Sequence, residues 1–374
     1  MIKRGIFLFV ICFAILGLIS CSEKKENKEK SDEEAKMEDS TALFPIQRDG
    51  KWGYIDKTGK VIIEPQFITT WYFSEGFAPV VVSHERNEYK LGYIDKTGRV
   101  VIKPQYDYSF FLDNDFAFSE GLASVPILKK VGYNTHEFRY GYIDKKGRWA
   151  IKPQYAYADP FQEGVAAVSI GNTNGFKFGY IDKRGRFVIK PQFNCATSFC
   201  EGVAAIAVGK KWGYIDTSGN AIINPQFEVA GFFHKGIAAV RIGERWGYVD
   251  RTGKMVIEPQ FDYAESFSEG LAAIEIGNRY GYIDKMGKVV IKPQFDLAWD
   301  FSEGRAAIEI GSKWGYINKI GKIVIKPQYD DARVFFGGLA RVRIGHNMFT
   351  GPFVFGGKAG YIDTTGNYVW EPTE

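Results

Sequence analysis

Acidic residues recur along this chain in two fixed contexts, and carboxylates at regular spacing are able to bind cations or transfer protons. In the first context an acidic residue opens the pattern Asp-x-x-Gly. The members of this series are Asp56, Asp95, Asp144, Asp182, Asp216, Asp250, Asp284 and Asp363, with Asn318 in one copy. Such a series would suit a calcium array. Aspartate also caps its own backbone in tight turns, and the asparagine copy favours that role.

The second series consists of glutamates that precede glycine in Phe-x-Glu-Gly. Its members are Glu75, Glu120, Glu163, Glu201, Glu269 and Glu303, whereas Lys235 and Gly337 take the place in two copies. A catalytic or metal-binding carboxylate would hardly be needed in six copies and missing from two. We therefore predict that both series serve turns or backbone hydrogen bonds.

Few other residues are candidates for catalysis or metal binding. The four histidines, His84, His136, His234 and His346, lack the spacing of metal ligands. The sequence contains no Gly-x-Ser-x-Gly, P-loop or His-Glu-x-x-His motif. We predict a non-enzymatic protein without a metal or cofactor. The formal net charge of +4 comes without a cluster of basic residues, which argues against a nucleic-acid partner.

The N-terminus carries the features of an export signal. Lys3 and Arg4 precede an apolar run from Ile6 to Ser20, which is shorter than the roughly 20 residues that span a bilayer. The run ends in Leu-Ile-Ser-Cys and resembles the bacterial lipobox, which implies acylation of Cys21. We predict a lipoprotein signal peptide over 1–20, then the lipidated Cys21 and a flexible charged tether over 21–40. The protein would be exported and lipid-anchored to a bacterial membrane, at the outer membrane or cell surface.

Two further cysteines, Cys195 and Cys200, lie five residues apart in one connecting loop. In an exported protein they would form a local disulfide. The alternative is that they are two small residues in a variable loop, and the sequence leaves both interpretations open.

One sequence motif occurs nine times after residue 41. The glycine of Gly-Tyr-Ile/Val falls at positions 53, 92, 141, 179, 213, 247, 281, 315 and 360. The basal period is 34 residues, and some copies carry insertions. A fixed period of this size indicates a repeat architecture. We assign residues 41–374 to one repeat domain.

Each repeat has the pattern of short strands and tight turns. In Leu271–Ile276 apolar residues alternate with a second, more variable set, as in a strand with one buried face. The stretches 280–284 and 288–292 are rich in aromatic and β-branched residues, and Asp-x-x-Gly between them predicts a hairpin. The following proline predicts the end of the strand. We expect three antiparallel strands per unit and no helix.

Two arrangements of these units fit the sequence: an open superhelical array and a β-propeller. Propellers typically have four to eight blades of four strands, so nine units of three strands fit poorly. The repeat region also begins and ends at the same point of the repeat unit. No unit therefore has to be completed from both ends of the chain, as often happens in a closed propeller. We therefore expect an open array, in which each unit contacts only its neighbours, with the propeller as the alternative.

Aromatic residues make up 16% of the chain and recur at the same places in the repeat. A three-stranded unit cannot form a core alone, so stacked rings would supply a continuous core from unit to unit. Tyr282, in the middle of a strand, is expected to be buried. A carbohydrate platform is the alternative use of an aromatic stripe.

The repeats resemble the WG-repeat family of bacterial β-repeat proteins. The naming tryptophan is present as Trp52, Trp212, Trp246 and Trp314, while other units carry Leu91, Tyr140, Phe178, Tyr280 and Ala359. The resemblance covers residues 42–373 and implies an all-β repeat fold. Members of this family mostly have no assigned biochemical activity, so the resemblance leaves function open.

Function is expected where the units differ. One such variable position lies two residues before the Phe of Phe-x-Glu-Gly; its occupants are Trp71, Asp159, Thr197, Gly231, Glu265, Trp299 and Arg333. The insertion 346–358 adds Phe349, Phe353 and Phe355. From these we select Trp71, Trp299, Arg333 and the three phenylalanines as a candidate ligand surface for an envelope protein or a glycan. A structural spacer, or an enzyme or inhibitor acting through loop residues, is the alternative.

Overall fold

The computed structural model describes residues 42–83, 88–110, 115–130, 136–172, 175–345 and 357–373. These residues contain strands and turns and no helix, as the sequence predicts. They form nine small antiparallel sheets, numbered here in chain order. Contacts divide the described chain into two compact units. The first unit comprises Phe73–Val240 and Asp250–Lys254, and the second comprises 42–72, Arg241–Val249 and 255–373.

Sheets 1 to 3 hold the first strands of the repeat region. Sheet 1 contains β1 (Phe44–Arg48), β2 (Lys51–Ile55) and β3 (Val61–Phe67). Sheet 2 contains β4 (Thr69–Thr70), β5 (Phe77–Ser83), β6 (Tyr89–Asp95) and β7 (Val100–Tyr108). Sheet 3 contains β8 (Leu122–Lys130), β9 (His136–Asp144) and β10 (Trp149–Tyr155).

Sheets 4 to 6 have four strands each. Sheet 4 contains β11 (Tyr157–Ala158), β12 (Val165–Asn172), β13 (Gly175–Asp182) and β14 (Phe187–Phe193). Sheet 5 contains β15 (Cys195–Ala196), β16 (Val203–Val208), β17 (Lys211–Asp216) and β18 (Ala221–Phe227). Sheet 6 contains β19 (Val229–Ala230), β20 (Ile237–Ile242), β21 (Arg245–Asp250) and β22 (Met255–Phe261).

Sheets 7 to 9 repeat the same four-stranded plan. Sheet 7 contains β23 (Tyr263–Ala264), β24 (Leu271–Ile276), β25 (Arg279–Asp284) and β26 (Val289–Phe295). Sheet 8 contains β27 (Leu297–Ala298), β28 (Arg305–Ile310), β29 (Lys313–Asn318) and β30 (Ile323–Tyr329). Sheet 9 contains β31 (Asp331–Ala332), β32 (Leu339–Ile344), β33 (Lys358–Asp363) and β34 (Tyr368–Thr373).

A short strand in the crossover loop corrects the prediction of three strands per unit. Seven of the nine sheets begin with a two-residue strand, and only sheets 1 and 3 have three strands among the described residues. In sheet 7, for example, Tyr263 pairs with Glu275 and Ala264 with Ile274. Two residues are too few to show a period of two, so the sequence pattern misses this strand.

The proline of each repeat lies in a bulge, so the prediction that it ends the strand is wrong. In sheet 7 the partners step from Tyr280–Phe295 to Tyr282–Ile291, which leaves three residues of β26 opposite Gly281. A Cβ atom on Gly281 would lie 2.5 Å from Ile291 O and 2.6 Å from Pro293 N. Glycine is required there because the bulged backbone passes directly over it.

Apolar side chains of consecutive sheets share one core, as predicted from the recurring aromatics. Within the second unit, Ala273 and Tyr282 of sheet 7 pack in one cluster with Ala298, Phe301 and Ile308 of sheet 8. Tyr282 is 0% exposed, and its ring lies 4.8 Å from that of Phe301. The core therefore lies between neighbouring sheets rather than within one of them.

The first and last sheets pack together, which makes the predicted open array wrong. In the second unit, Phe44 and Ile46 of β1 share a buried cluster with Leu339 and Tyr361 of sheet 9. Tyr361 also donates a hydrogen bond of 2.9 Å to the carbonyl of Pro45. A succession of small sheets in which the last packs on the first is a β-propeller of nine blades, the alternative considered above. The apolar faces at both ends are buried in this way instead of facing water.

Candidate ligand-binding surface

The residue two positions before the Phe of Phe-x-Glu-Gly, here called the inner-loop position, has the same backbone geometry in sheet after sheet. Trp299 donates its N–H to Ala307 O at 2.9 Å, and its carbonyl accepts the Tyr282 hydroxyl at 2.8 Å. Glu265 makes the equivalent bonds with Ala273 and Tyr248. The scaffold fixes this backbone from both sides, so it places no demand on the identity of the side chain.

The tyrosine hydroxyl reaches an inner-loop carbonyl in eight sheets. The acceptors are the carbonyls of Trp71, Phe116, Asp159, Thr197, Gly231, Glu265, Trp299 and Arg333. Phe116 belongs to this set but was missed from the sequence, because an insertion lies in the loop before it. Its side chain is fully buried.

Trp299 offers the largest exposed aromatic face at the inner-loop position. Its side chain is 38% exposed and stacks on Trp314 of the same sheet, with ring centroids 5.9 Å apart and planes within 16°. Trp314 itself is only 6% exposed. The buried indole therefore holds the exposed one in a fixed orientation, which lowers the entropy cost of stacking a ligand on it.

The other predicted surface residues occupy the same position or lie outside the structure. Arg333 is exposed, and its Nε lies 3.4 Å from Asp331 Oδ2. Trp71 is half-buried. Phe349, Phe353 and Phe355 lie outside the described residues, as does Cys21.

In the first unit the inner-loop position carries a carboxylate in an unusual environment. Asp159 accepts hydrogen bonds from the Tyr157 hydroxyl at 2.6 Å and the Ser198 hydroxyl at 3.2 Å. Burial of the carboxylate raises the pKa of Asp159 to about 6, and the charge of Asp115 adds to this shift. Among the described residues, no three His, Cys, Asp or Glu side chains lie together in a way that could hold a metal ion.

The recurring aspartates cap turns, as predicted. Asp284 Oδ1 accepts the N–H groups of Met286 at 2.9 Å and Lys288 at 3.0 Å. Asn318 makes the same two bonds, which explains why it replaces aspartate. At Asp56 the Thr58 hydroxyl and the backbone N–H groups stabilise the charged form and lower the pKa. These carboxylates are occupied by their own turns.

The recurring glutamates join neighbouring sheets through backbone hydrogen bonds, as predicted for this series. Glu269 has a φ of 49°, and its Oε2 accepts the N–H of Gly304 at 3.0 Å and pairs with Lys319 at 3.1 Å. The same bond recurs in the pairs Glu75–Gly121, Glu120–Gly164, Glu163–Gly202, Glu201–Gly236 and Glu303–Gly338. In each pair the glutamate of one sheet holds the backbone of the next.

The local disulfide is not formed. Cys195 lies in β15 as a buried thiol, and it is not linked to Cys200. Both residues are buried, Cys195 in β15 and Cys200 just before β16, so neither is an exposed residue of a variable loop. In the described part of the chain there is also no helix of the length and apolarity needed to cross a membrane.

The solved structures to which this chain is similar resemble it only distantly. No curated protein matches the chain. AztD from Citrobacter koseri, in its apo form, aligns over 75% of this chain and 92% of its own length, with 10% identity and a TM-score of 0.41. The β-propeller domain of the Trilobed protease from Pyrococcus furiosus aligns over 68% and 96%, with 12% identity and a TM-score of 0.38.

The family assignment rests on the repeats themselves. The model of the WG containing repeat matches eight successive segments: 52–83, 92–125, 140–173, 178–212, 212–246, 246–280, 280–314 and 314–345. Each segment begins in one sheet and ends in the next, as 280–314 does with sheets 7 and 8, and the segments leave few gaps between them. The chain therefore belongs to the family of proteins built from the WG containing repeat.

Proposed function

We propose that this protein is a non-enzymatic binding protein of the bacterial cell envelope whose inner-loop positions bind a glycan. The observation that carries the proposal is Trp299, an exposed indole held parallel to the buried Trp314. Flat aromatic faces bury the apolar faces of sugar rings, and a few polar groups nearby supply orientation. Glu265 and Arg333 occupy the same position in the sheets on either side.

A role without catalysis agrees with the use of the recurring polar groups. The aspartates are engaged in turns and the glutamates join sheets, so neither series is left to act on a substrate. Variation is concentrated at a position whose backbone is fixed. This division of labour between scaffold and surface is the usual one in repeat proteins that bind partners.

The proposal is tested by replacing the exposed indole. Trp299→Ala should weaken binding to envelope polysaccharides by at least about tenfold, because the stacking face is removed. Binding would be measured on an array of bacterial glycans with the purified protein. Trp149→Ala is the matched control, since Trp149 is also 38% exposed but belongs to strand β10 and not to an inner loop.

Three other outcomes would redirect the proposal. If both variants bind glycans as the wild type does, Trp299 is not the platform. A wild-type protein that captures an envelope protein but no glycan would identify a protein-binding surface. A protein that binds neither would be a structural spacer.

We also propose that Cys21 is the lipid anchor that holds the domain at the outer membrane or cell surface. The support is the Leu-Ile-Ser-Cys sequence after a short apolar run. Cys21→Ala should abolish labelling with radioactive palmitate and leave a species that keeps its signal peptide or is mislocalised, because the residue that carries the acyl chains is lost. If the variant is still labelled and sediments with membranes, the anchor lies elsewhere.

A further inference from the structure

Arg341 occupies a position that is held by alanine in most of the repeats. It is the third residue of β32 and pairs with Tyr361. The equivalent residues in sheets 4 to 8 are Ala167, Ala205, Ala239, Ala273 and Ala307, all at most 3% exposed. In sheet 7 this alanine shares a cluster with Ala298, which belongs to the short strand of the next sheet. A regular repeat therefore has no room for a long side chain here.

Sheet 9 differs because it packs on sheet 1, which has no short strand among the described residues. The Arg341 side chain lies there instead, with its Cζ 5.0 Å from the centre of the Trp52 ring. Pro45, whose carbonyl would bond to an inner-loop N–H in a regular sheet, accepts the Tyr361 hydroxyl. The place of the missing strand is thus lined by a guanidinium, an indole and a phenol.

The charge of Arg341 is not compensated within the described chain. Its Nε and Nη2 atoms are buried and have no hydrogen-bond partner. Two more arginines belong to the same sheet, Arg333 and Arg343, and Asp331 lies beside both of them: it is 3.4 Å from Arg333 and is the ladder partner of Arg343. Burial and the positive charge of Arg341 lower the pKa of Arg343. Buried guanidinium donors without an acceptor are costly, so the site lacks a negative group.

We propose that Arg341, with Arg333 and Arg343 beside it, binds an oxyanion, a carboxylate or phosphate group of a ligand that stacks on Trp52. A guanidinium presents parallel N–H donors that match the two oxygens of such a group. Exposed rings stand close to this site: Tyr72 is 45% and Phe336 53% exposed, with centroids 5.8 Å apart. The site shares Arg333 with the inner-loop surface but does not include Trp299, and its Arg341 does not depend on the glycan proposal, although an acidic sugar would satisfy both.

Arg341→Ala tests this site with a residue that the other repeats already use. Galacturonate, glycerol phosphate and the neutral sugar galactose would be titrated into the full-length protein by calorimetry. The wild type should bind one of the two anions saturably and galactose at least about tenfold more weakly, and the variant should lose at least about tenfold in anion affinity. Preference between the two anions distinguishes a carboxylate ligand from a phosphate ligand.

Two further variants separate specific recognition from general charge. Lys326→Ala removes one exposed positive charge from strand β30 and should leave anion binding unchanged. Arg341→Lys keeps the charge but loses the paired donors, and should bind anions more weakly than the wild type. The proposal is overturned if the wild type binds neither anion, or if Arg341→Ala binds them as the wild type does.

Thermal unfolding gives a readout that does not rely on affinity. Without ligand, Arg341→Ala should melt at or above the temperature of the wild type, because an uncompensated buried charge is removed. The bound anion should raise the melting temperature of the wild type and not that of the variant. A variant that melts well below the wild type would assign Arg341 a structural role instead.

Discussion

Ending the chain after Asp330, so that sheet 9 is removed, is expected to abolish the cooperative folding of the second unit. The truncation exposes two apolar faces. One belongs to sheet 8, where Ala307 and Tyr316 pack against Phe335, and the other to sheet 1, where Phe44 and Ile46 pack against Tyr361. Urea unfolding followed by circular dichroism and near-ultraviolet absorption should show a broad transition at low urea, with aggregation.

An array with contacts only between neighbours in sequence would behave differently. It would lose one interface and keep a proportionate share of its stability as a soluble fragment. That result would contradict the packing of sheet 9 on sheet 1.

A point variant tests the same contact without truncation. Phe44 is 1% exposed, and its ring lies 5.6 Å from that of Tyr361. Phe44→Ala should cost about 3–5 kcal/mol in the free energy of unfolding.

Tyr282→Ala is expected to lower the free energy of unfolding by about 3–5 kcal/mol. The ring is fully buried between sheets 7 and 8, and its hydroxyl donates to Trp299 O. The substitution therefore leaves a cavity and removes a bond that holds the inner loop. Chemical denaturation of the purified variant would measure the loss.

Two matched variants divide this effect into its parts. Tyr282→Phe removes only the hydroxyl and should cost about 1 kcal/mol. Trp299→Ala removes a partly exposed ring and should also cost about 1 kcal/mol. Equal losses for Tyr282→Ala and Trp299→Ala would mean that core and surface are assigned the wrong way round.

Short-range features of each repeat were predictable from the sequence because they depend on neighbouring residues. The Asp-x-x-Gly turns, the strand at Leu271–Ile276 and the burial of Tyr282 all follow from local spacing and alternation. The turn role of the aspartates was predictable as well, since Asn318 is an equivalent acceptor. The inner-loop position was found by its variability, and the structure supplied the reason, which is a backbone fixed by two hydrogen bonds.

Two features of the strands were predicted wrongly, the effect of the proline and the number of strands in each sheet. Proline at 293 lacks an N–H and suggests the end of a strand, yet here it lies in a bulge over Gly281 and the strand continues to Phe295. The two-residue strand at Tyr263–Ala264 is too short for any periodicity. Both errors arise because the partner strand, and not the segment itself, determines the pairing.

By itself the sequence determined the nine-fold repeat, the all-β class, the turn chemistry and the family. Only the tertiary structure decided that sheet 9 packs on sheet 1. The repeat boundaries in the sequence show how many units exist, but they do not show whether the first and the last unit touch. The apolar Phe44 and Leu339 faces are buried by this contact, and it places Arg341 over Trp52. Those residues are nearly 300 positions apart, so no local pattern records their proximity, and the hydrophobic gain of closing both faces determines it.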